Sequence, residues 1–408
     1  MLRSGQEVKY CKRHVFHIAG YDPATPRQVH QRFSRQFEIF KSTWNVDGTV
    51  GSLDCSATFP CWSVSTKGAN WASDTTFELL AWDDLIAQAS RRPVIGRLAR
   101  TCSTYLDLLL TGTLARYLFA NARYFAFAVI PLLQAIALGL LSYLIASYAA
   151  EYFIPSLAVR YLCTSLIAVG LFFILLQVSG SRWRMFQAFD DWILSLDYIH
   201  GSHHDLEARI DQFAARIAAS ANSDQFDEII VLGHSLGATF AVDAVARALD
   251  TIGSLAKHRV KLCVVTVGAT IPKCALHPDG QRIRDQISKV AGEQSLYWVE
   301  YQAREDAISF YRCDPASLKR IKGNSDRIER KPIIRRVHIK NMMSPSAYKR
   351  FRFRVLRLHY QFVSANDIRA TYDYFMLTCG PLFVTDWAAS NLGFLRFFRD
   401  SQTSNVEF

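Results

Sequence analysis

The sequence predicts an α/β protein with a mainly parallel sheet, helices on both faces of that sheet, and an inserted pair of apolar helices. Strand-like and helical segments alternate along both flanks of the chain. Several strand-like runs, such as 229–232 and 262–265, are apolar throughout, which is typical of strands covered on both faces. Two long uncharged runs, 124–150 and 161–181, stand close together in the middle of the chain.

Composition and charge narrow the class of protein further. Half of the 408 residues are hydrophobic and only 20% are charged, which excludes wholesale disorder because such a chain can bury a core. Forty-seven Lys and Arg against 36 Asp and Glu give a net charge of +11. A basic surface suits anionic lipid heads or nucleic acid. No nucleic-acid-binding motif accompanies the charge, so we expect no nucleic-acid partner.

The cysteines and the N-terminal residues indicate a reducing compartment. The nine cysteines are scattered without C-x-x-C spacing, so neither a zinc ribbon nor a thioredoxin motif is expected. The first 20 residues contain basic side chains but no long apolar run, so we expect no cleavable signal peptide. The thiols are therefore expected to be free and mostly buried.

The two uncharged runs are each long enough to cross a bilayer, since about 20 apolar residues suffice. Tyrosines stand near their ends, as in an aromatic belt, and Pro131 and Gly139 are tolerated in lipid. The runs are therefore interpreted as a transmembrane hairpin. The alternative is a helical pair buried in a large soluble core.

The flanking charges predict the orientation of this hairpin. The link 151–160 is short, so both flanks lie on one side of the membrane. The flanks carry several arginines, whereas the link carries only Arg160; those in the flanks are Arg97, Arg100, Arg116, Arg123, Arg182 and Arg184. The positive-inside rule then predicts a two-pass protein with both flanks in the cytoplasm. Segment 93–122 is helical in pattern, either interfacial or packed on the globular part.

The globular flanks read as a series of strands and helices. Before the hairpin we expect a strand at 12–19, a helix at 26–44, and strands at 57–66 and 71–82. After it we expect helices at 203–221, 236–249, 281–291 and 366–377, and strands at 228–232, 261–267, 296–302 and 333–339. The predicted divisions are 1–92, 93–202 and 203–408. The basic stretches 319–336 and 349–357 are interpreted as solvated faces or as contacts with anionic lipid heads.

The most informative motif is Gly233-His234-Ser235-Leu236-Gly237, which lies between an apolar strand and a helical segment. A sharp turn from strand to helix requires small residues two positions before and two after the central serine. The Ser235 hydroxyl would then be exposed at a helix N-terminus, which favours developing negative charge. The alternative is a Gly/Ser turn without chemistry.

This motif resembles the nucleophile elbow of the α/β-hydrolase family, specifically of its serine lipases and esterases. The resemblance covers roughly 12–90 and 203–380 and leaves the apolar hairpin as an insertion. It implies an α/β-hydrolase-type sheet and a catalytic serine, acid and histidine in that chain order. Such a site hydrolyses carboxylic esters through an acyl-serine intermediate.

The resemblance also implies the partners of Ser235. Asp306, after the strand 296–302, is the expected acid, with Glu305 and Glu300 as alternatives. His359 is the expected base, with His338 as the alternative. His234 neighbours the nucleophile, but the elbow directs its side chain elsewhere.

The oxyanion hole is expected to use the backbone N–H groups of Leu236 and Tyr21. No metal or organic cofactor is required. The expected partners are a lipid bilayer and an acyl-ester substrate, for which a lipid ester is the natural candidate. Acyl transfer, small-ester hydrolysis and a non-catalytic membrane scaffold remain alternatives, and the oligomeric state is left open. A channel or transporter is disfavoured because the two spans contain no charged residue.

Overall fold

A computed structural model of the protein describes residues 9–182, 184–318, 332–389, 393 and 395. The chain forms two compact units. The first contains the residues up to Ala87 together with those from Asp197 onward, and the second comprises Gln88–Leu196.

The first unit is built on an eight-stranded sheet. Its strands are β1 (Lys9–Ile18), β2 (Asp47–Val50), β3 (Cys61–Lys67), β4 (Trp71–Leu79), β5 (Glu228–His234), β6 (Lys261–Val267), β7 (Tyr297–Ala303) and β8 (Ile333–Val337). They lie in the order β2-β3-β4-β1-β5-β6-β7-β8. The neighbours from β4 to β8 are all parallel, and only β3 runs antiparallel to β2 and β4. The predicted α/β class with a mainly parallel sheet is confirmed.

Helices connect these strands and form the second unit. They are α1 (Pro26–Trp44), α2 (Asp83–Ser90), α3 (Val94–Leu110), α4 (Thr113–Ala120), α5 (Ala122–Phe153), α6 (Leu157–Arg182), α7 (Met185–Ile199), α8 (His204–Ala221), α9 (Leu236–Ile252), α10 (Ile271–Ala275), α11 (Gln281–Gly292), α12 (Pro345–Phe351), α13 (Val355–His359), α14 (Tyr374–Cys379) and α15 (Val384–Ala388). Short 3-10 turns lie between these elements at Leu255–Lys257, Ile339–Asn341 and Tyr360–Val363.

Burial explains why these elements form where they do. Every residue of β5 is buried, as expected for a central strand with helices on both faces. In contrast, β3 alternates between buried and exposed residues because only one of its faces is covered. Helix α9 leaves β5 directly and is almost entirely buried, so it lies in the core.

The predicted helix over 366–377 is wrong in its first part, because α14 begins only at Tyr374. Asp373 ends the preceding loop, and its Oδ1 accepts hydrogen bonds from the N–H groups of Phe375 and Met376 at 2.9 and 3.0 Å. Its Oδ2 accepts a hydrogen bond from Trp44 Nε1 at 3.0 Å. This N-terminal cap sets the start of the helix.

In the second unit, α5 and α6 are long and apolar enough to cross a membrane. The candidate spans contain 32 and 24 residues with mean hydropathies of 2.1 and 2.2. Only 22% and 11% of their most apolar windows are buried. Apolar side chains therefore face outward along both helices, whereas a soluble core helix would be mostly buried.

The predicted helical segment 93–122 forms two helices, α3 and α4. Tyr105 on α3 donates its hydroxyl to the carbonyl oxygen of Ala128 on α5 at 2.7 Å, and its ring packs near that of Trp192. Arg97 forms a buried ion pair with Asp190 on α7 at 2.9 Å. One side of α3 is therefore packed within the second unit, while Leu109 and Leu110 remain exposed.

Candidate active site

Ser235 lies between the end of β5 and the start of α9 in a strained backbone conformation. Its φ is 56° and its ψ is −125°. An L-residue rarely adopts a positive φ, and such strain costs about 1–3 kcal/mol, so the surrounding structure must hold it in place. Ser235 is partly exposed, whereas its neighbours His234 and Leu236 are buried. The turn therefore presents this serine at the surface of the site.

Two glycines allow this turn to pack closely on its surroundings. A Cβ on Gly237 would lie 2.3 Å from the carbonyl oxygen of Ala19 and 2.4 Å from that of Ile18. A Cβ on Gly233 would lie 2.5 Å from the Cα of Ala238. A larger residue at position 237 would push α9 away from the end of β1, and one at position 233 would push β5 away from α9. Both positions therefore require small residues.

The loop between β1 and α1 lies directly against Ser235. A Cβ on Gly20 would lie 2.7 Å from the Cβ of Ser235, and the N–H of Asp22 donates to the Gly20 carbonyl at 2.7 Å in a tight turn. Tyr21 is partly exposed, and its ring meets that of Trp82 edge to face at 5.8 Å. The structure thus brings the predicted oxyanion loop against Ser235, the predicted nucleophile, while the roles of the two N–H donors remain a prediction.

Asp306 and His359 are brought together although 53 positions separate them in the chain. Asp306 lies in the loop after β7, and His359 ends α13. Asp306 Oδ2 lies 2.8 Å from His359 Nδ1, and Oδ1 accepts the N–H of Ile308 at 3.0 Å. Both side chains are buried. Because a carboxylate oxygen accepts hydrogen bonds, an ionised Asp306 would place the proton on Nδ1 and leave Nε2 as the nitrogen available to accept a proton.

The loop after β6 connects the acid–base pair with the serine. Gly268 has a φ of 52°, and a Cβ there would lie 3.2 Å from both His359 Cε1 and Asp306 Oδ2. On the other side of this loop, the N–H of Ser235 donates to the carbonyl of Val267, and the N–H of Thr270 donates to the carbonyl of Ser235, both at 3.2 Å. One short loop therefore touches all three predicted catalytic residues.

Ser235 and His359 do not form a hydrogen bond with each other in this structure. His359 Nε2 is buried and has no hydrogen-bond partner among the described residues, so it is not bonded to the Ser235 hydroxyl. Catalytic hydrogen bonds of this kind are often long in empty sites and shorten when substrate binds.

His234 contacts the backbone and the ring of His359, the predicted base. Its Nε2 lies 3.3 Å from the carbonyl oxygen of His359, and the two rings pack with centroids 4.5 Å apart. Burial, His359 and His17 lower the pKa of His234 well below its usual value, so its ring is neutral. The neutral ring can donate Nε2–H to that carbonyl.

The alternative acids Glu305 and Glu300 and the alternative base His338 contact other residues. His338 follows β8, is half exposed, and its Nδ1 lies 3.3 Å from Glu305 Oε1. Glu305 Oε2 also accepts the N–H of Ile339 at 3.4 Å. Glu300 is buried within β7, where Thr266 donates to it at 3.1 Å. The structure therefore pairs Glu305 with His338 and Asp306 with His359.

Gln302 holds the loop that carries Asp306, a role that the sequence pattern does not predict. Its Oε1 accepts the N–H of Arg312 at 2.8 Å, while its Nε2 donates to the carbonyl of Cys313 and to Glu300, each at 2.6 Å. These bonds tie the end of β7 to the far end of the loop. No sequence signal identifies the role, because the bonds to the loop involve backbone groups.

Within either compact unit taken alone, the described His, Cys, Asp and Glu side chains form no group of three within ligand distance of one another.

The buried Glu300 predicts a measurable pH dependence of stability. Burial raises the pKa of Glu300 from 4.5 to about 7. Between these values the folded state binds more protons than the unfolded state, so the free energy of unfolding falls as pH rises, by roughly 3 kcal/mol in total. Glu300→Gln removes this pH-dependent loss. The free energy of unfolding of the variant, relative to that of the wild type, should therefore rise by roughly 3 kcal/mol from pH 4 to pH 8.

Urea unfolding in detergent micelles across this pH range measures the difference. Asp205→Asn is the control because its carboxylate is exposed, and it should leave the pH profile nearly unchanged. Parallel profiles for wild type and Glu300→Gln would show that the pKa of Glu300 does not differ between the folded and unfolded states.

Comparison with known proteins gives no match: a scan of family models, a search of curated proteins and a search of solved structures each found nothing similar to this chain.

Proposed function

We propose that the protein is a membrane-anchored serine hydrolase that cleaves carboxylic esters through an acyl-Ser235 intermediate. The observation that carries the proposal is the buried hydrogen bond between Asp306 and His359, formed beside a strained serine between strand and helix. A nucleophile, a base and a group that orients the base are the parts that such chemistry needs.

The sheet topology supports an α/β-hydrolase-type arrangement. Strands β1, β5, β6 and β7 are mutually parallel neighbours, so their carboxyl ends meet at one edge of the sheet. The loop at Gly20, the turn at Ser235, Gly268 and Asp306 each follow the end of one of these strands. The candidate site thus occupies the edge where parallel sheets usually carry their ligands.

The proposed reaction follows from the positions of these groups. His359 Nε2 takes the proton of Ser235 as the hydroxyl oxygen attacks the ester carbonyl, while Asp306 holds Nδ1–H and stabilises the charged ring. The N–H groups of Leu236 and Tyr21 stabilise the oxyanion. His359 then protonates the departing alcohol, and the same ring activates the water that releases the acid from Ser235.

The proposed location follows from α5 and α6. We propose that these helices anchor the chain as a two-pass hairpin, and the arginines on both flanks favour a cytoplasmic location for those flanks. An ester already concentrated in the bilayer, such as a glycerolipid or phospholipid, is the substrate class that this anchoring favours.

A fluorophosphonate probe tests the proposal directly, because it reacts covalently with an activated serine. We expect the full-length protein in detergent to be labelled, and Ser235→Ala to lose labelling and ester hydrolysis. Ser65→Ala, an exposed serine on β3, is the matched control and should label like the wild type. Absence of labelling under conditions that label a known serine hydrolase would favour a non-catalytic scaffold.

A further inference from the structure

An exposed cationic and apolar surface leads directly into the helix that carries His359. Residues 349–357, here called the cationic surface, read Lys-Arg-Phe-Arg-Phe-Arg-Val-Leu-Arg. They contain five cations, and segment 345–363 contains no acidic residue. The surface spans the end of α12, the link to α13 and the first residues of α13.

Four of the five cations on this surface are exposed and lack an ion-pair partner among the described residues, whereas Arg357 is partly buried and donates to Gln361 Oε1 at 2.8 Å. Lys349, Arg350, Arg352 and Arg354 are exposed, and none of them forms an ion pair with a described residue. Asp367, the next acidic residue along the chain, accepts hydrogen bonds from the backbone and hydroxyl of Ser344 at 2.7 Å. The surface therefore keeps a concentrated positive charge toward solvent.

Apolar side chains stand among these cations. Phe353 is 82% exposed, and Val355 and Leu356 are also exposed. The guanidinium of Arg352 lies 4.7 Å from the Phe353 ring, and that of Arg350 lies 5.4 Å from the Phe351 ring. An exposed aromatic ring beside an arginine suits the boundary between phosphate heads and acyl chains, where the ring can leave water while the guanidinium stays with the phosphates.

We propose that the cationic surface binds the headgroup region of an anionic bilayer, with Phe353 inserted among the acyl chains. Charge complementarity favours anionic lipid, and exposed apolar side chains favour a bilayer over an acidic protein or a nucleic acid. The chain also carries two helices of membrane-spanning length, and their proposed insertion would tether the whole chain to a bilayer.

This surface is relevant to the proposed hydrolysis because the short helix α13 carries both part of the surface and His359. Val355 on the surface and His359 in the site are four residues apart, about 6 Å along the helix axis. If the proposed function holds, bilayer binding at this surface brings the base and the lipid headgroups close together. The binding itself does not depend on that function.

Photo-crosslinking of the full-length protein tests lipid contact without reference to activity. Phe353→p-benzoylphenylalanine is reconstituted into nanodiscs of phosphatidylcholine alone or mixed with phosphatidylserine, irradiated, and analysed for phospholipid adducts by mass spectrometry. We expect adducts at position 353 in the mixed nanodiscs, and at least about tenfold fewer in phosphatidylcholine alone. Ile39→p-benzoylphenylalanine, on the exposed side of α1, is the positional control and should give few adducts.

Charge reversal tests the contribution of the cations. Arg352→Glu and Arg354→Glu are introduced together into the protein that carries the crosslinker at position 353. This charge reversal should remove most of the adducts, because both substitutions place negative charge against anionic lipid. Lys257→Glu with Arg259→Glu is the matched control: these cations are exposed but lie just before β6, at the opposite end of the parallel strands. The control pair should retain the adducts.

Three results would overturn the proposal: equal adducts in both lipid compositions, absence of lipid adducts at position 353, or crosslinking of that position mainly to protein. Fluorophosphonate labelling of the same samples separates this inference from the proposed function. Adducts without labelling of Ser235 would refute the hydrolase and leave the lipid surface standing, whereas labelling without adducts would refute only the lipid surface.

Discussion

His359→Gln is expected to lower the rate of ester hydrolysis by about 10⁴-fold while leaving the protein folded. The loss follows because His359 Nε2 is the group proposed to take the proton of Ser235, and glutamine cannot accept it. Asp306→Asn should have a similar effect, since the 2.8 Å contact from Asp306 to Nδ1 sets the tautomer and stabilises the charged ring. Initial rates with a short-chain ester measure both.

The structure supplies matched controls for these variants. His338 and Glu305 are also a histidine and an acid in contact, 3.3 Å apart, and the sequence offers them as the alternative base and acid. His338→Gln and Glu305→Gln should therefore change the rate by no more than a few-fold. If His338→Gln abolished hydrolysis and His359→Gln did not, the assignment of the base would be wrong.

Arg13→Met is expected to destabilise the first unit by about 3–5 kcal/mol, because it leaves the buried carboxylate of Glu228 without its charge partner. Arg13 on β1 is fully buried, and its Nε lies 2.8 Å from Glu228 Oε2 on β5. Its other guanidinium nitrogens donate to the carbonyls of Gly380 and Leu382 at 2.9 and 2.7 Å. One side chain therefore joins two central strands to the C-terminal segment.

A loss of this size is a large part of the 5–15 kcal/mol by which a typical protein is stable. Thermal and urea unfolding in detergent should show it directly. Arg27→Met is the control, since Arg27 is exposed on α1 and its removal should cost less than about 0.5 kcal/mol. If both variants had the same small effect, the Arg13–Glu228 pair would not support the fold.

A double variant, Arg13→Met with Glu228→Gln, refines this prediction. Removing both charges avoids a lone buried carboxylate and should recover part of the loss. Recovery should be incomplete, because the carbonyls of Gly380 and Leu382 still lose their donors. Full recovery would show that only the charge pair matters.

Much of the fold follows from local patterns. Helix α1 and strand β6 have the bounds that the sequence predicts, 26–44 and 261–267. Continuous apolar runs identify β5 and β6 because central parallel strands are covered on both faces. The elbow at Ser235 and the two membrane-length helices are likewise local properties of composition and spacing.

Other elements were missed because tertiary contacts define them. Strand β2 has only four residues and no continuous apolar run, and it exists through pairing with β3. The start of α14 depends on Asp373, whose other oxygen is held by Trp44 from α1. The contact between Trp44 and Asp373 joins positions 329 residues apart, so no local pattern reports it.

The sequence alone determined that this chain has an α/β core, a serine at a strand-to-helix turn and a pair of membrane-length apolar helices, because each is set by residues adjacent in the chain. Only the tertiary structure decided that Asp306 contacts His359 while Glu305 contacts His338. Those acids are neighbours in sequence with the same chemistry. Their partners are set by the path of the loop after β7, which Gln302 holds at both ends.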